Sequence, residues 1–235
     1  MFRTSFYILF LSIALAGCAV QSEDSLLSGP KSETSRQFVE TVLLGSEYGD
    51  SGAVTRFARS PRLSVFGADN NKRFLVQSAI SQINGAIAAS GIQIQVASEN
   101  DRNADILVYY APMSQFAQIA RDNGFEYHSG NSGFFWMFWN GNHEITKSIV
   151  MIATDVLNST QLASVTLEEI TQSLGPVNDQ RIIQDSIFFE SSFDSGYATK
   201  LGGLDKSLLK FLYGTLRPGD AVDRVDYYFN RYWTE

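Results

Sequence analysis

The residues best suited to chemistry lie on one predicted helix and the turn that follows it. A helix is expected over 160–174, with Gly175 and the proline after it as stop signals. Glu168 and Gln172 are four positions apart, so they share one face of this helix. A turn at Gly175 could bring Asn178 back towards them. The spacing therefore predicts one carboxylate and two amides around a common point.

These donors define which metal the site could accept. Oxygen ligands suit Ca²⁺, Mg²⁺ or Mn²⁺, whereas zinc favours imidazole, thiolate and carboxylate. The chain has two histidines, His128 and His143, and both lie in turn-like segments without paired spacing. We therefore predict no resident cofactor and no zinc, with Ca²⁺ or Mg²⁺ as the metals that the donors would tolerate. If a metal were held, Glu169 could act as a general base on its bound water.

The same residues also have a purely structural interpretation. Glu168 and Gln172 could hydrogen-bond across one helical turn, and Asn178 and Asp179 could bond nearby backbone in the following loop. Other chemistries fail on spacing, because two adjacent glutamates on a helix point about 100° apart, unlike the facing carboxylates of a glycosidase. The sequence contains no nucleophile elbow, phosphate-binding loop or dinucleotide fingerprint. For the glycine-flanked segment 131–133 no ligand is predicted.

The segment around this helix resembles the metzincin zinc-protease signature His-Glu-x-x-His-x-x-Gly-x-x-His. Glu168, Gln172 and Asn178 fall on the positions of the histidines, and Glu169 falls on the catalytic glutamate. Downstream, 185–188 resembles the Ser-Ile-Met turn beneath such sites.

A helix over 204–213 resembles the C-terminal helix of the matrixin branch of these proteases. The resemblance implies a single zincin-like α+β domain with a mixed twisted sheet and an active-site-type helix. In such proteases an edge strand beside this helix takes an extended peptide by strand addition. We expect 145–153 to be that strand here.

A second set of residues resembles the bacterial family called domain of unknown function 2927. The residues that carry it are 168–175, 178–179, 186–188 and 217–219. Members often have histidine just before the paired glutamates, where this chain has Leu167. The resemblance implies a bacterial lipoprotein without an assigned reaction.

Together these features favour a non-catalytic envelope lipoprotein whose metalloprotease-like cleft binds a polypeptide partner. The alternative is a metal-dependent hydrolase, peptidase-like, with atypical oxygen ligands and Glu169 as its base. A purely structural envelope protein is a third possibility.

The N-terminus has the layout of an export signal. Residues 1–17 contain one basic residue and a short apolar run, and they end in small residues. The apolar run is too short to span a membrane. The last positions, Leu15 to Cys18, resemble a lipobox, and Cys18 is the only cysteine of the chain. This implies acylation at Cys18, palmitate being a typical chain, and a membrane anchor for the mature protein. Ala19 favours the outer membrane. An ordinary signal peptide with a chance cysteine is the alternative.

Domain organisation follows from these features. Residues 1–17 are the predicted signal peptide, 18–34 a polar lipidated tether and 35–235 the folded domain. Net charge is −7 with a pI near 4.9, and no Lys/Arg cluster is present. Nucleic acid is therefore not expected as a partner, because phosphate binding needs a basic stripe.

Local patterns predict the remaining elements. The expected helices span 35–44, 72–89, 114–122, 204–213 and 221–233, and the expected strands span 62–66, 92–96, 104–110, 134–139 and 145–153. Asn70 or Asn71 is expected to cap the second helix. Asn140-Gly141 between two apolar runs predicts a β-hairpin. The aromatic run 134–139 is either a strand buried on both faces or an arm that overhangs the cleft.

Overall fold

A computed structural model describes residues 32–45, 52–128, 130–190 and 197–235. The predicted signal peptide, Cys18 and most of the predicted tether lie outside these residues. The helices are α1 (Glu33–Leu44), α2 (Asn70–Ile87), α3 (Phe116–Asp122), α4 (Ser159–Gln172), α5 (Gly203–Gly214) and α6 (Val222–Tyr232). The strands are β1 (Arg62–Phe66), β2 (Gln95–Val96), β3 (Ile106–Ala111), β4 (Gly133–Trp139) and β5 (Ile145–Ala153).

One five-stranded sheet runs through the domain in the order β2-β1-β3-β5-β4. β2, β1, β3 and β5 run parallel to one another, and β4 runs antiparallel to β5. Every residue of β3 is buried, as its apolar residues on both parities predicted for a central strand. The predicted α+β class with a mixed sheet is therefore confirmed.

The predicted hairpin is present, but the expected edge strand is wrong. β5 pairs with β3 on one side and with β4 on the other, so β5 lies inside the sheet. β4 lies at this edge of the sheet, and β2 lies at the other. Backbone bonding confirms the assignment, because Ser148 N–H donates to the Asp105 carbonyl next to β3 at 2.8 Å. By alternation the N–H of Val150 also points to β3 and not to a cleft.

The sheet separates two apolar layers. Helices α2, α4 and α5 cover one face, with Val108, Val150 and Met137 beneath them. The other face holds α3 and an aromatic cluster in which Phe125 stacks on Phe134 and Trp136, at ring-centroid distances of 5.9 and 5.4 Å. The aromatic run is thus packed into both layers and forms no separate arm. Trp139 at its end is exposed.

Three local predictions need correction. Asp69, not an asparagine, caps α2 by accepting from Lys72 N–H. Helix α4 begins at Ser159, one residue before the expected start at 160, because Asn158 caps it in a reciprocal capping box with Gln161. The strand expected over 92–96 shrinks to β2, because the Asn84 side chain occupies both the N–H and the carbonyl of Ile94.

No helix in the described part of the chain is long and apolar enough to cross a bilayer.

Candidate functional site

Helix α4 carries the candidate site and is fixed by contacts with neighbouring elements. It packs against α2, β4 and β5, and the Tyr110 hydroxyl lies 2.9 Å from that of Thr166 in its buried face. The turn after the helix needs glycine at 175, where φ is +131° and a Cβ would overlap the carbonyl of Thr55. The Tyr213 hydroxyl donates to the Leu174 carbonyl at 2.8 Å and fixes this turn. The chain is therefore forced back towards α4, as the sequence predicted.

A small polar cavity lies between α4, the start of β4 and the loop that follows the turn. Its volume is about 40 Å³, enough for a few water molecules or the end of one polar side chain. The lining residues are Asn131, Gly133, Phe134, Phe135, Glu169, Gln172, Val177, Asn178 and Asp179. No Lys, Arg or His is among them, so carboxylates set the charge of the cavity.

Glu169 forms one wall of the cavity. Its side chain is 8% exposed and lies directly against Gly133, because a Cβ at that glycine would overlap both Glu169 Oε1 and Val165 Cγ1. Only glycine permits this close approach of β4 to α4. The carboxyl group that the resemblance placed at the catalytic position is therefore packed against the edge strand.

The structure brings Gln172 and Asn178 to the cavity but gives them different partners from those expected. Gln172 Nε2 donates to Asp179 Oδ1 at 2.7 Å, in place of the predicted bond to Glu168. Asn178 packs beside Gly45 at the end of α1, where a Cβ would meet its side-chain nitrogen. The Val177 N–H donates to the Val42 carbonyl and ties the loop to the same helix.

Glu168 is half-buried and is not among the residues that line the cavity. Burial raises its pKa well above the ordinary value of 4.5, and the nearby carboxylates of Asp179 and Asp205 raise it further. Its side chain has no hydrogen-bond donor or acceptor among the described residues. Of the two residues whose spacing predicted a shared ligand face, Gln172 lines the cavity and Glu168 lies next to it.

Asp205 on α5 anchors the turn over 186–188. It is fully buried and accepts from Ser186 Oγ, the Ile187 N–H and the Gly202 N–H at 2.6, 3.0 and 2.8 Å. Desolvation raises the pKa of Asp205, although these donors oppose the effect. The bonds shape the turn 186–188, and Phe188 at its end is fully buried. Helix α5 thus fixes a turn that the sequence identified only by resemblance.

The donor set does not fit zinc. The positions of the three metzincin histidines carry Glu168, Gln172 and Asn178, and Glu168 does not reach the cavity. Neither His128 nor His143 lines it. Within the described ranges no three His, Cys, Asp or Glu side chains are grouped so that they could hold a metal. These residues therefore do not supply the imidazole or thiolate ligands that zinc favours.

The buried glutamate gives the domain a pH-dependent stability. Because the folded pKa of Glu168 exceeds its unfolded value, the folded state binds the proton more tightly. The stabilisation is complete below the ordinary pKa and is lost as pH rises through the raised pKa. We expect Glu168→Gln to be more stable than the wild type at pH 8, with a free energy of unfolding that is higher by roughly 1–2 kcal/mol. At pH 4 the two proteins should differ little.

Urea denaturation at both pH values measures this difference. Glu33→Gln is the matched control, since that carboxylate is exposed at the start of α1. If the two variants change the free energy of unfolding equally at both pH values, the pKa of Glu168 is not raised in the folded state.

Sequence reasoning missed three contributors to the cavity. Asn131 and Gly133 seemed to serve no ligand, and Asp179 entered only as a loop residue. The Gly-rich composition of 130–133 was the available signal for close backbone approach. The partner of that approach, however, is on a helix 36 residues further along the chain, counting from Gly133 to Glu169.

Comparisons with known proteins extend this description. The model of the family described as "Protein of unknown function (DUF2927)" matches residues 31–231. No curated protein matches the chain in sequence. A solved structure titled "Structure of Myroilysin" is similar to this chain at 10% identity and a TM-score of 0.41, covering 69% of this chain and 83% of that one.

Proposed function

The chain belongs to the DUF2927 family of unknown function, and we propose that its cleft is a non-catalytic binding site for an extended polypeptide. The polypeptide adds a strand to the free edge of β4 and places a polar group in the cavity beside Glu169. The domain performs this role from a lipid anchor at Cys18 in the bacterial envelope.

The unpaired edge of β4 is the observation that carries the proposal. Among the described residues β4 pairs only with β5. Ala153 N–H donates to the Ser132 carbonyl at 2.8 Å, so alternation directs the backbone groups of Phe134 and Trp136 towards β5. The N–H and carbonyl groups of Gly133, Phe135 and Met137 then point outward. They form a row of donors and acceptors spaced for a peptide strand.

The cavity adds a preference for donor groups. Glu169 and Asp179 bring carboxylates to it, and no basic side chain lines it. A peptide N–H, an amide or a lysine side chain can donate to these oxygens, whereas an acidic side chain would be repelled. The proposed partner is therefore a neutral or basic segment.

A peptide selection tests the proposal. A random peptide library would be panned against purified protein in the presence of EDTA, and the enriched peptides would be titrated by calorimetry. We expect binding without metal, and no cleavage of those peptides when zinc or calcium is added. Enrichment only after metal addition, or hydrolysis of the bound peptides, would contradict a non-catalytic site.

The anchor has its own test. Cys18→Ser should block lipid attachment and removal of the signal peptide, since both act at that cysteine in lipoproteins. Metabolic labelling with palmitate and determination of the N-terminal residue measure the two events. Labelled protein with an unchanged N-terminus in the variant would show that Cys18 is not the lipid site.

A further inference from the structure

Helices α1 and α6 meet where the chain enters the described domain. Arg36 on α1 pairs with Asp226 on α6 and donates to Asn230 Oδ1 at 2.6 Å. Its guanidinium also lies 5.0 Å from the ring centroid of Phe229. The start of α1, and with it the end of the tether, is therefore fixed against α6.

The outward face of α6 is unusual for a solvated helix. Tyr227 is 55% exposed, while the opposite face of the helix is buried through Val225 and Phe229. Arg224 and Arg231, about one turn before and one turn after Tyr227, are exposed on the same face, and Asp223 is exposed beside them. Arg231 also donates to the Tyr232 hydroxyl at 3.1 Å. Tyrosine rings and arginines on one helix face are the side chains that settle at a membrane–water interface.

We propose that this outward face of α6, defined by Arg224, Tyr227 and Arg231, rests in the lipid headgroups of the membrane that holds the anchor. This inference rests on the proposed lipid attachment at Cys18. Fourteen peptide steps join Cys18 to Ser32, which limits their separation to roughly 50 Å. Of the described surfaces, the start of α1 and the adjoining α6 are the ones that this tether holds nearest to the lipid. Tyr227 supplies an interfacial anchor, and Arg224 can donate to lipid phosphates.

Docking through α6 would set the position of the cleft. The start of α1 adjoins α6, and Gly45 at its other end contacts Asn178 in the cavity wall. A helix of 12 residues spans about 18 Å at 1.5 Å per residue. Helix α1 then acts as a spacer that holds the peptide cleft away from the headgroups.

Depth-dependent quenching on the full lipidated protein tests the inference. Tyr227→Cys would carry a fluorophore, and acylation leaves no free thiol at Cys18 to compete for it. The protein would be placed in phosphatidylethanolamine–phosphatidylglycerol vesicles with nitroxide-labelled headgroups. Phe74→Cys is the control, since Phe74 is 65% exposed and follows the carboxyl end of β1, at the opposite end of the sheet from the Ala53–Ala221 bridge at α6.

We expect loss of most of the fluorescence at position 227 and little loss at position 74. Equal quenching at both positions, or at neither while the protein stays on the vesicles, would overturn the α6 contact and leave the anchor intact. Failure of the control protein to associate with vesicles at all would overturn the anchor and this inference together. Asp223→Cys, exposed one turn before Tyr227 and labelled in the same way, guards against a local effect of the first substitution.

Discussion

Phe135→Pro should weaken binding of the selected peptides by roughly five- to twelvefold relative to Phe135→Ala, since one net backbone hydrogen bond amounts to about 1–1.5 kcal/mol. Both variants lose the aromatic side chain. Only the proline loses the N–H, which points away from β5 and towards the open edge. Proline is tolerated at such positions because the ladder with the neighbouring strand does not use that N–H.

Calorimetric titration of both variants with the same peptides measures the difference. Thermal unfolding serves as the control for the fold, and Phe135→Pro should remain cooperative. Phe134→Pro should behave differently and lose stability, because alternation places its N–H in the β5 ladder. Equal affinities of Phe135→Pro and Phe135→Ala would show that the peptide does not pair with β4.

Asp205→Ala should destabilise the domain by about 3–4 kcal/mol, because it leaves three buried donors without their acceptor. Ser186 Oγ, the Ile187 N–H and the Gly202 N–H all donate to this carboxylate. Their loss should also loosen the turn that ends at buried Phe188. Urea unfolding measures the stability.

Asp205→Asn is the matched control for this loss. Its amide oxygen can accept from the Ile187 and Gly202 N–H groups, which share Oδ2 in the wild type. Its amide nitrogen can donate to Ser186 Oγ. We expect the asparagine variant to keep most of the stability. A small effect of Asp205→Ala, within about 1 kcal/mol, would contradict the structural role of α5 beneath the site.

Local patterns were sufficient to predict the elements but not the pairing order of the sheet. Asn140-Gly141 identified the hairpin, and apolar spacing located α2 and α4. β5 was nevertheless expected at the edge, although its residues 148–153 are all buried. A run that is apolar on both parities indicates an interior strand. β4 also carries large apolar side chains on both of its faces, and all but its last residue are at least partly buried, so its sequence does not mark it as an edge strand.

The candidate site was predictable in location and not in the identity of its groups. Gly175 and Asn178 lie where the spacing predicted. Helical spacing also placed Glu168 with Gln172, but it does not state which face of α4 meets the sheet. The close approach of Gly133 determines which face of α4 meets the sheet, because it places Glu169 against β4. Contacts of this kind join distant parts of the chain and leave no local pattern.

The most direct test of the central claim is backbone amide hydrogen exchange, measured residue by residue across β4 in EDTA. In the free protein, the N–H groups of Phe134 and Trp136 should be protected by β5, and those of Gly133, Phe135 and Met137 should exchange faster. Adding a selected peptide should protect the second set and leave the first unchanged. Protection that arises only elsewhere on the domain, or only after a metal is added, would contradict strand addition at this cleft.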